Sequence, residues 1–397
     1  MRKVFTYLLY LIALIAGLTL AYLAIVIINK VELKPDARYS SISLQVAPSP
    51  ISKNLNDLMY AEQERMFDAD RVNDTFKRVA LRESAQRVTP ADQPELSDEL
   101  KLWLDELKPA RDRYSSVFLE PGCVDELVGW DHTRRKNTTD LIAGAKLIAI
   151  SIVRALQEQH PDQVVKMYTP LLQSIDQKRR TCHHGLLTYV IFNEINSLLS
   201  HALMPVTLHP ELSELNREQL IKFWTQQLNR AGQEVYRGTL SDAMKVEYHQ
   251  IKRMTEVEME HAFQHEFPGA SIQTLWPFWD EDQYNRWVQE LFRAQAWQIG
   301  KPMHLALEED LEIDLMMNGI KLPSVYFSYN TMGQILIAMV TPNFNNLREH
   351  HHKVSCKLVA SWTAVLKELG RPANPELVNP FTDRALDVNQ DEACSKR

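Results

Sequence analysis

Glycine is scarce in this chain, with 12 in 397 residues, and that count disfavours the glycine-rich loops that cradle phosphates at helix starts. No Walker loop, Gly-x-Ser-x-Gly elbow or kinase motif set occurs, so the commonest nucleotide-binding and hydrolase signatures are missing. Cysteine is scarcer still. The four, Cys123, Cys182, Cys356 and Cys394, form no Cys-x-x-Cys pair, which excludes a zinc site by spacing and a disulfide-dense scaffold by number. Basic residues form no stripe, and a formal charge of −7 repels a phosphate backbone, so no nucleic-acid partner is expected. Internal repeats and low-complexity segments are absent too. No stretch of residues specifies a reaction.

What is present is ordinary for a globular protein, with 45% hydrophobic and 24% charged residues, apart from one segment. From Val4 to Asn29 the chain has no charged residue, and at about 1.5 Å per residue a helix of that length crosses a bilayer of about 30 Å with some tilt. Met1-Arg2-Lys3 before it matches the charged start of an export signal. The apolar part is too long for a cleaved signal and lacks a small-x-small cleavage site, and no cysteine follows to take a lipid, so an uncleaved signal anchor is expected. Arg2 and Lys3 on one side nearly balance Lys30, Lys34 and Arg38 on the other. The likeness to an export signal places the body outside the cytoplasm, because long domains translocate largely regardless of charge. About three residues would then remain inside, too few to transmit a signal alone.

Behind the anchor, residues 30–52 carry Pro35, Pro48 and Pro50 among short polar residues and read as an extended tether. The expected architecture is mainly α: a tail at 1–3, a transmembrane helix at 4–29, the tether, one soluble multi-helix array at 53–370 with at most a small β hairpin, and an irregular segment at 371–397. Helical spacing runs through Leu58, Met59, Met66, Phe67, Val72 and Phe76, and again over Leu100–Leu107, before Pro109 and Pro121-Gly122 break the chain. Residues 137–160 are apolar on most faces, with Thr138 or Thr139 as cap and Asp140 near the start, and 185–204 form a second central helix closed by Pro205 and Pro210. Further helices are expected near 217–236, 239–265, 281–299 and 344–369, and residues 322–344 are the one ambiguous strand or helix.

Each chemical motif has a plainer reading beside it. Glu258/His261 and Glu349/His352 are Glu-x-x-His pairs like those of di-iron bundles, but the two further inward glutamates are not identifiable. His261 and His265 stand four apart without the glutamate a zincin helix places after its first histidine. His350-His351-His352 and Cys182-His183-His184 fit solvent exposure better than chelation, since adjacent helical residues point about 100° apart. The acidic run Glu308–Asp314 lacks calcium-loop spacing, and Asp68-Ala69-Asp70 is similar to the paired carboxylates of some glycosyltransferases without their strand-rich context. Asn193 and Glu194 inside an apolar helix are the best polar-site candidates, with a structural pair as the plain alternative. Trp276, Phe278, Trp279, Trp287, Phe292 and Trp297 fit core packing or a partner surface. No cofactor and no metal ligand set is expected. In an oxidising compartment the four cysteines permit two bridges in three connectivities. Cys123–Cys182 is favoured because the two flank the first central helix, and buried free thiols are the alternative.

The closing residues Leu369-Gly370-Arg371-Pro372, then Pro375, Leu377 and Asn379-Pro380-Phe381-Thr382-Asp383, resemble the carboxyl-terminal end of uncharacterised membrane-anchored proteins of Gram-negative bacteria. Those proteins similarly end a long helix at a Gly/Pro turn, and Asp383 stands where they usually carry glycine. The resemblance covers about thirty residues plus the anchor-and-tether layout, and it implies an inner-membrane setting with no assigned activity. The expected function is a non-enzymatic, single-pass inner-membrane protein held in the bilayer by residues 4–29. Its periplasmic body would bind or organise another envelope protein or component; the alternative is a membrane-tethered hydrolase or metal-dependent enzyme.

Overall fold

The structure, a computed structural model, describes residues 2–28, 37–47, 49–60, 66–79, 96–124, 138–275, 279–299, 344–372, 374–382, 384–386 and 394. Among them the fold is mainly α, with no strand and two isolated bridges, Ile51 to Cys123 and Val378 to Ala385. The ambiguous stretch 322–344 lies outside the described residues, except that Phe344 opens the last helix.

The chain divides into two compact units, where one array was expected. The larger draws mainly on Gln45–Glu247 and Asn345–Arg397, the smaller on Met1–Leu44 and Tyr248–Trp297. One boundary falls within the proline-containing segment 30–52 and another within a helix, at Glu247/Tyr248, because the smaller unit gathers segments far apart in sequence.

The larger unit is built around α6 (Thr138–Gln157), which packs against α3 (Ala69–Val79) and α8 (Leu186–Leu203). Leu141, Leu147, Ile148, Ile150 and Ile152 bury side chains on nearly every face of α6, as its apolar sequence requires. Its two cations reach outward. Lys146 Nζ donates to Asn73 Oδ1 at 2.8 Å, and Arg154 pairs with Asp105 at 2.6 Å and Glu158 at 2.7 Å. Asp140, in the first turn, is buried and accepts the Met66 N–H at 3.1 Å, so it ties an incoming segment besides favouring the helix dipole. Ahead of α6 stand α2 (Lys53–Met59), α4 (Asp98–Glu106) and α5 (Lys108–Leu119). Serines cap two of these: Ser52 accepts from Leu55 N and Ser97 from Leu100 N. Gly144 of α6 allows α5 its close approach, since a Cβ there would stand 2.4 Å from the Tyr114 ring.

Two helices depart from expectation. Pro109 begins α5, occupying its first turn where the missing N–H costs nothing. Pro161 likewise opens α7 (Pro161–Thr181), which continues through Pro170 and packs against α5 and α8. After α8 a 3-10 turn, Met204–Leu208, leads to α9 (Glu214–Leu228). The next break falls at Asn229, well before the expected 237–239: its Oδ1 accepts Gly232 N at 2.8 Å and so starts α10 (Arg230–Arg253). The last helix is α13 (Phe344–Glu368).

Part of the segment 371–397, expected to be irregular, is fastened to the helices. Leu377 and Val378 are buried, Gln233 Nε2 donates to the Val378 carbonyl at 2.7 Å, and Cys394 is bonded to Cys356 of α13. The other disulfide joins Cys123 to Cys182 at the end of α7. Beside it, the last residues of the expected tether are also held: Cys123 N donates to Pro50 O at 2.7 Å and Ser52 N to Cys123 O at 2.9 Å. Gly122, at φ +106°, makes the turn into this bridge, where a side chain would strike Ser52.

In the smaller unit, α10 passes through a π turn at Met254–Glu258 into α11 (Met259–Glu266), and α12 (Glu281–Ile299) supplies most of the core. Trp279, Tyr284, Trp287 and Phe292 are buried there. Tether residues pack on it as well: Tyr39 and Arg38 lie against Trp297, and His249 Nε2 is 2.8 Å from the Leu44 carbonyl. The segment expected to be an extended tether is therefore docked at 38–44 and at 50–52, rather than free throughout.

The first helix, α1, runs Arg2–Ile28 over 27 residues. Its side chains are described for 12–27, where Ile12, Leu14, Ile15, Leu18 and Leu20 are each more than half exposed. Among the described residues no helix is long and apolar enough to cross a membrane.

Candidate functional site

Most sequence candidates fall into structural roles. Asn193 is buried, while Glu194 is half-buried and lies close enough to Lys146 to oppose the downward pull of burial on that ammonium's pKa. Asp68 Oδ1 accepts Arg71 N and caps α3, and Asp70 is exposed. Trp279, Trp287 and Phe292 are core residues; Trp276, Phe278, the Glu308–Asp314 run and the Glu258 side chain lie outside what is described. His261 and His265 are exposed. Glu349 pairs with Lys353 at 2.9 Å. No group of carboxylates, histidines and cysteines able to hold a metal occurs among the described residues.

The histidine clusters contradict the expectation of solvent exposure. His350 is exposed and His183 half-exposed, but His184, His351 and His352 are buried. His351 Nδ1 lies 2.9 Å from the Tyr189 hydroxyl, joining α13 to α8, and His184 stacks on Phe192. Arg179, fully buried, contacts Asp176 at 2.5 Å, and Arg180 Nε reaches the other carboxylate oxygen at 2.6 Å. Burial holds the His351 pKa well below the usual value, reinforced by His352, Arg179, Arg237 and His350. The Tyr189–His351 contact joins α8 to α13, while the two arginine pairs to Asp176 lie within α7.

The accessible candidate is a groove of about 890 Å³ between α7 and α9. Both helices run in one direction and are tied at each end. At the start, Asp162 Oδ1 accepts from Asn216 Nδ2 and Ser213 Oγ, each at 2.7 Å, and these bonds hold its pKa below the usual carboxylate value. At the far end, Arg180 Nη2 donates to Gln227 Oε1. Between the ties the helices part. Gln163, Lys166 and Gln173 of α7 face Gln219, Lys222 and Gln226 of α9 across the opening. Phe223 adds apolar surface, with Val165 and Leu220 buried beneath it in the lining. Thr169 also lines the groove, and its hydroxyl is buried without a hydrogen-bond partner among the described residues. Beyond Asp162, already engaged, no carboxylate lines it among the described residues, and no histidine does. The arrangement offers hydrogen bonds and positive charge, with no nucleophile and base side by side.

Sequence reasoning missed this site because glutamine and lysine on exposed helix faces are the default for solvated surface. The one available signal was the repeat of amides at positions 163 and 173 and at 219 and 226, which has meaning only once the two helices are paired. No family model, curated protein or solved structure matches the chain.

Proposed function

We propose that the chain is a membrane-anchored binding protein: α1 holds it in a bilayer, and its helical body, outside the cytoplasm, binds another component of the cell envelope through the α7–α9 groove. The observation that carries the anchor is the run of exposed Ile12, Leu14, Ile15, Leu18 and Leu20 on a helix whose sequence has no charge from Val4 to Ile28. Exposed apolar surface on successive faces of one helix is unfavourable in water. The uncharged run Val4–Asn29, part of which lies outside the described side chains, would as a continuous helix span about 40 Å, enough for a bilayer core of about 30 Å. The pairing of all four cysteines supports an oxidising compartment for the body, and the resemblance of residues 369–383 supports a bacterial inner membrane.

Binding is favoured over catalysis because the groove brings together amides and ammonium groups, none of them paired with a group that activates a nucleophile. The test is topological. A cysteine replacing exposed Ser43, with the four native cysteines retained, should react with a membrane-impermeant maleimide on sealed right-side-out vesicles. Reaction only after lysis reverses the orientation, and recovery of the chain in the soluble fraction removes the anchor.

A further inference from the structure

We infer that the α7–α9 groove binds an acidic saccharide chain, a polyhydroxylated ligand carrying carboxylates. This deepens the envelope-binding reading and rests on it only for the setting, because the groove's chemistry stands without it. Three observations lead to this class of ligand. Each glutamine amide both donates and accepts, as each sugar hydroxyl does, so facing amides such as Gln163 and Gln219 can satisfy adjacent hydroxyls pairwise. The Thr169 hydroxyl, buried in the lining and without a hydrogen-bond partner among the described residues, adds an unsatisfied polar group beneath the groove surface. Lys166 and Lys222, one on each wall, are exposed cations, while the one lining carboxylate, Asp162, is occupied by Asn216 and Ser213.

Other occupants fit less well. A helical peptide needs a row of apolar pockets, and the groove has apolar surface chiefly at Phe223. Nucleic acid needs a longer cationic track than two lysines on a protein of charge −7. The flat ring of Phe223 suits the C–H face of a sugar. The two end ties fix both walls to each other before any ligand arrives, and the volume is in the range that accommodates a ligand of several rings.

The test uses the full chain in detergent micelles and titration calorimetry with three probes: oligogalacturonate, neutral cellotetraose and tetraglutamate. Oligogalacturonate should bind most tightly. The Lys166→Gln/Lys222→Gln variant should weaken it about tenfold, the scale of two exposed charge contacts, and bring it level with cellotetraose. Gln219→Trp, which keeps both charges and fills the groove, should abolish binding of either saccharide. All substitutions are at exposed positions, and unchanged melting curves confirm the fold. No binding of oligogalacturonate, binding indifferent to both variants, or equal binding of tetraglutamate would overturn the proposal, the last pointing to an acidic peptide. Failure of the Ser43 labelling leaves this result standing, since binding in micelles is independent of orientation.

Discussion

Buried side chains with one close neighbour carry the sharpest residue-scale consequences. His351 is neutral in the fold because burial, His352, Arg179, Arg237 and His350 all oppose its protonation. The unfolded chain protonates it near pH 6.5. Above that value folded and unfolded states bind no proton there and stability is full; as pH falls toward the depressed folded pKa, the unfolded state gains protons and stability drops, by at most about 1.4 kcal/mol per pH unit. Thermal melts between pH 7.5 and 5 should show this loss, and His351→Gln should flatten it; an unchanged slope assigns the loss elsewhere. Gly144→Ala would press a methyl into the Tyr114 ring, costing about 1–3 kcal/mol in a denaturant titration. In a Tyr114→Leu background the same change should cost much less, as contacting positions couple. Lys178, buried between the Glu120 and Gly122 carbonyls at 2.5 and 2.6 Å, could not have been read from sequence, where it is one of three consecutive cations ending a helix.

At the scale of elements, what could be read was whatever wrote its environment into its own period. α6 and α8 were plain because nearly every face is apolar, and α4 because Ser97 caps an amphipathic turn. α7 was hidden by Pro161 and Pro170, although Val164, Val165, Tyr168, Leu171, Leu172 and Ile175 keep helical spacing through it. A proline on an exposed face removes one hydrogen bond, and the buried stripe outweighs that loss. The groove was illegible because each wall alone is ordinary surface. Cys123–Cys182, favoured from sequence among three connectivities, is the pair the structure forms, and the fold also brings Cys394 to Cys356. Denatured, unreduced protein should contain no free thiol. Removing Cys123–Cys182 as a double serine variant, which opens a loop with a sequence separation of 59, should cost about 4 kcal/mol on the loop-entropy account. A loss under about 1 kcal/mol would mean that the bridge constrains little.

At the scale of the whole molecule, composition revealed the helical class but not the division into two units, since each gathers segments distant in sequence and one boundary falls inside α10. If α1 is the anchor, Leu14→Arg/Leu18→Arg should move the chain from the membrane pellet to the soluble fraction, each arginine near mid-span opposing insertion by about 2.5–3.5 kcal/mol; retention in the pellet after an alkaline wash would reject that. The clip at residues 50–52 then acquires a mechanical meaning. Tension applied at Pro50 is shared by the two backbone bonds to Cys123 before α2 feels it. From Cys123 the force passes through a covalent bond into the end of α7. The strap is thus bolted at a covalent joint, and tension along it reaches the helix that forms one wall of the groove without first unravelling α2.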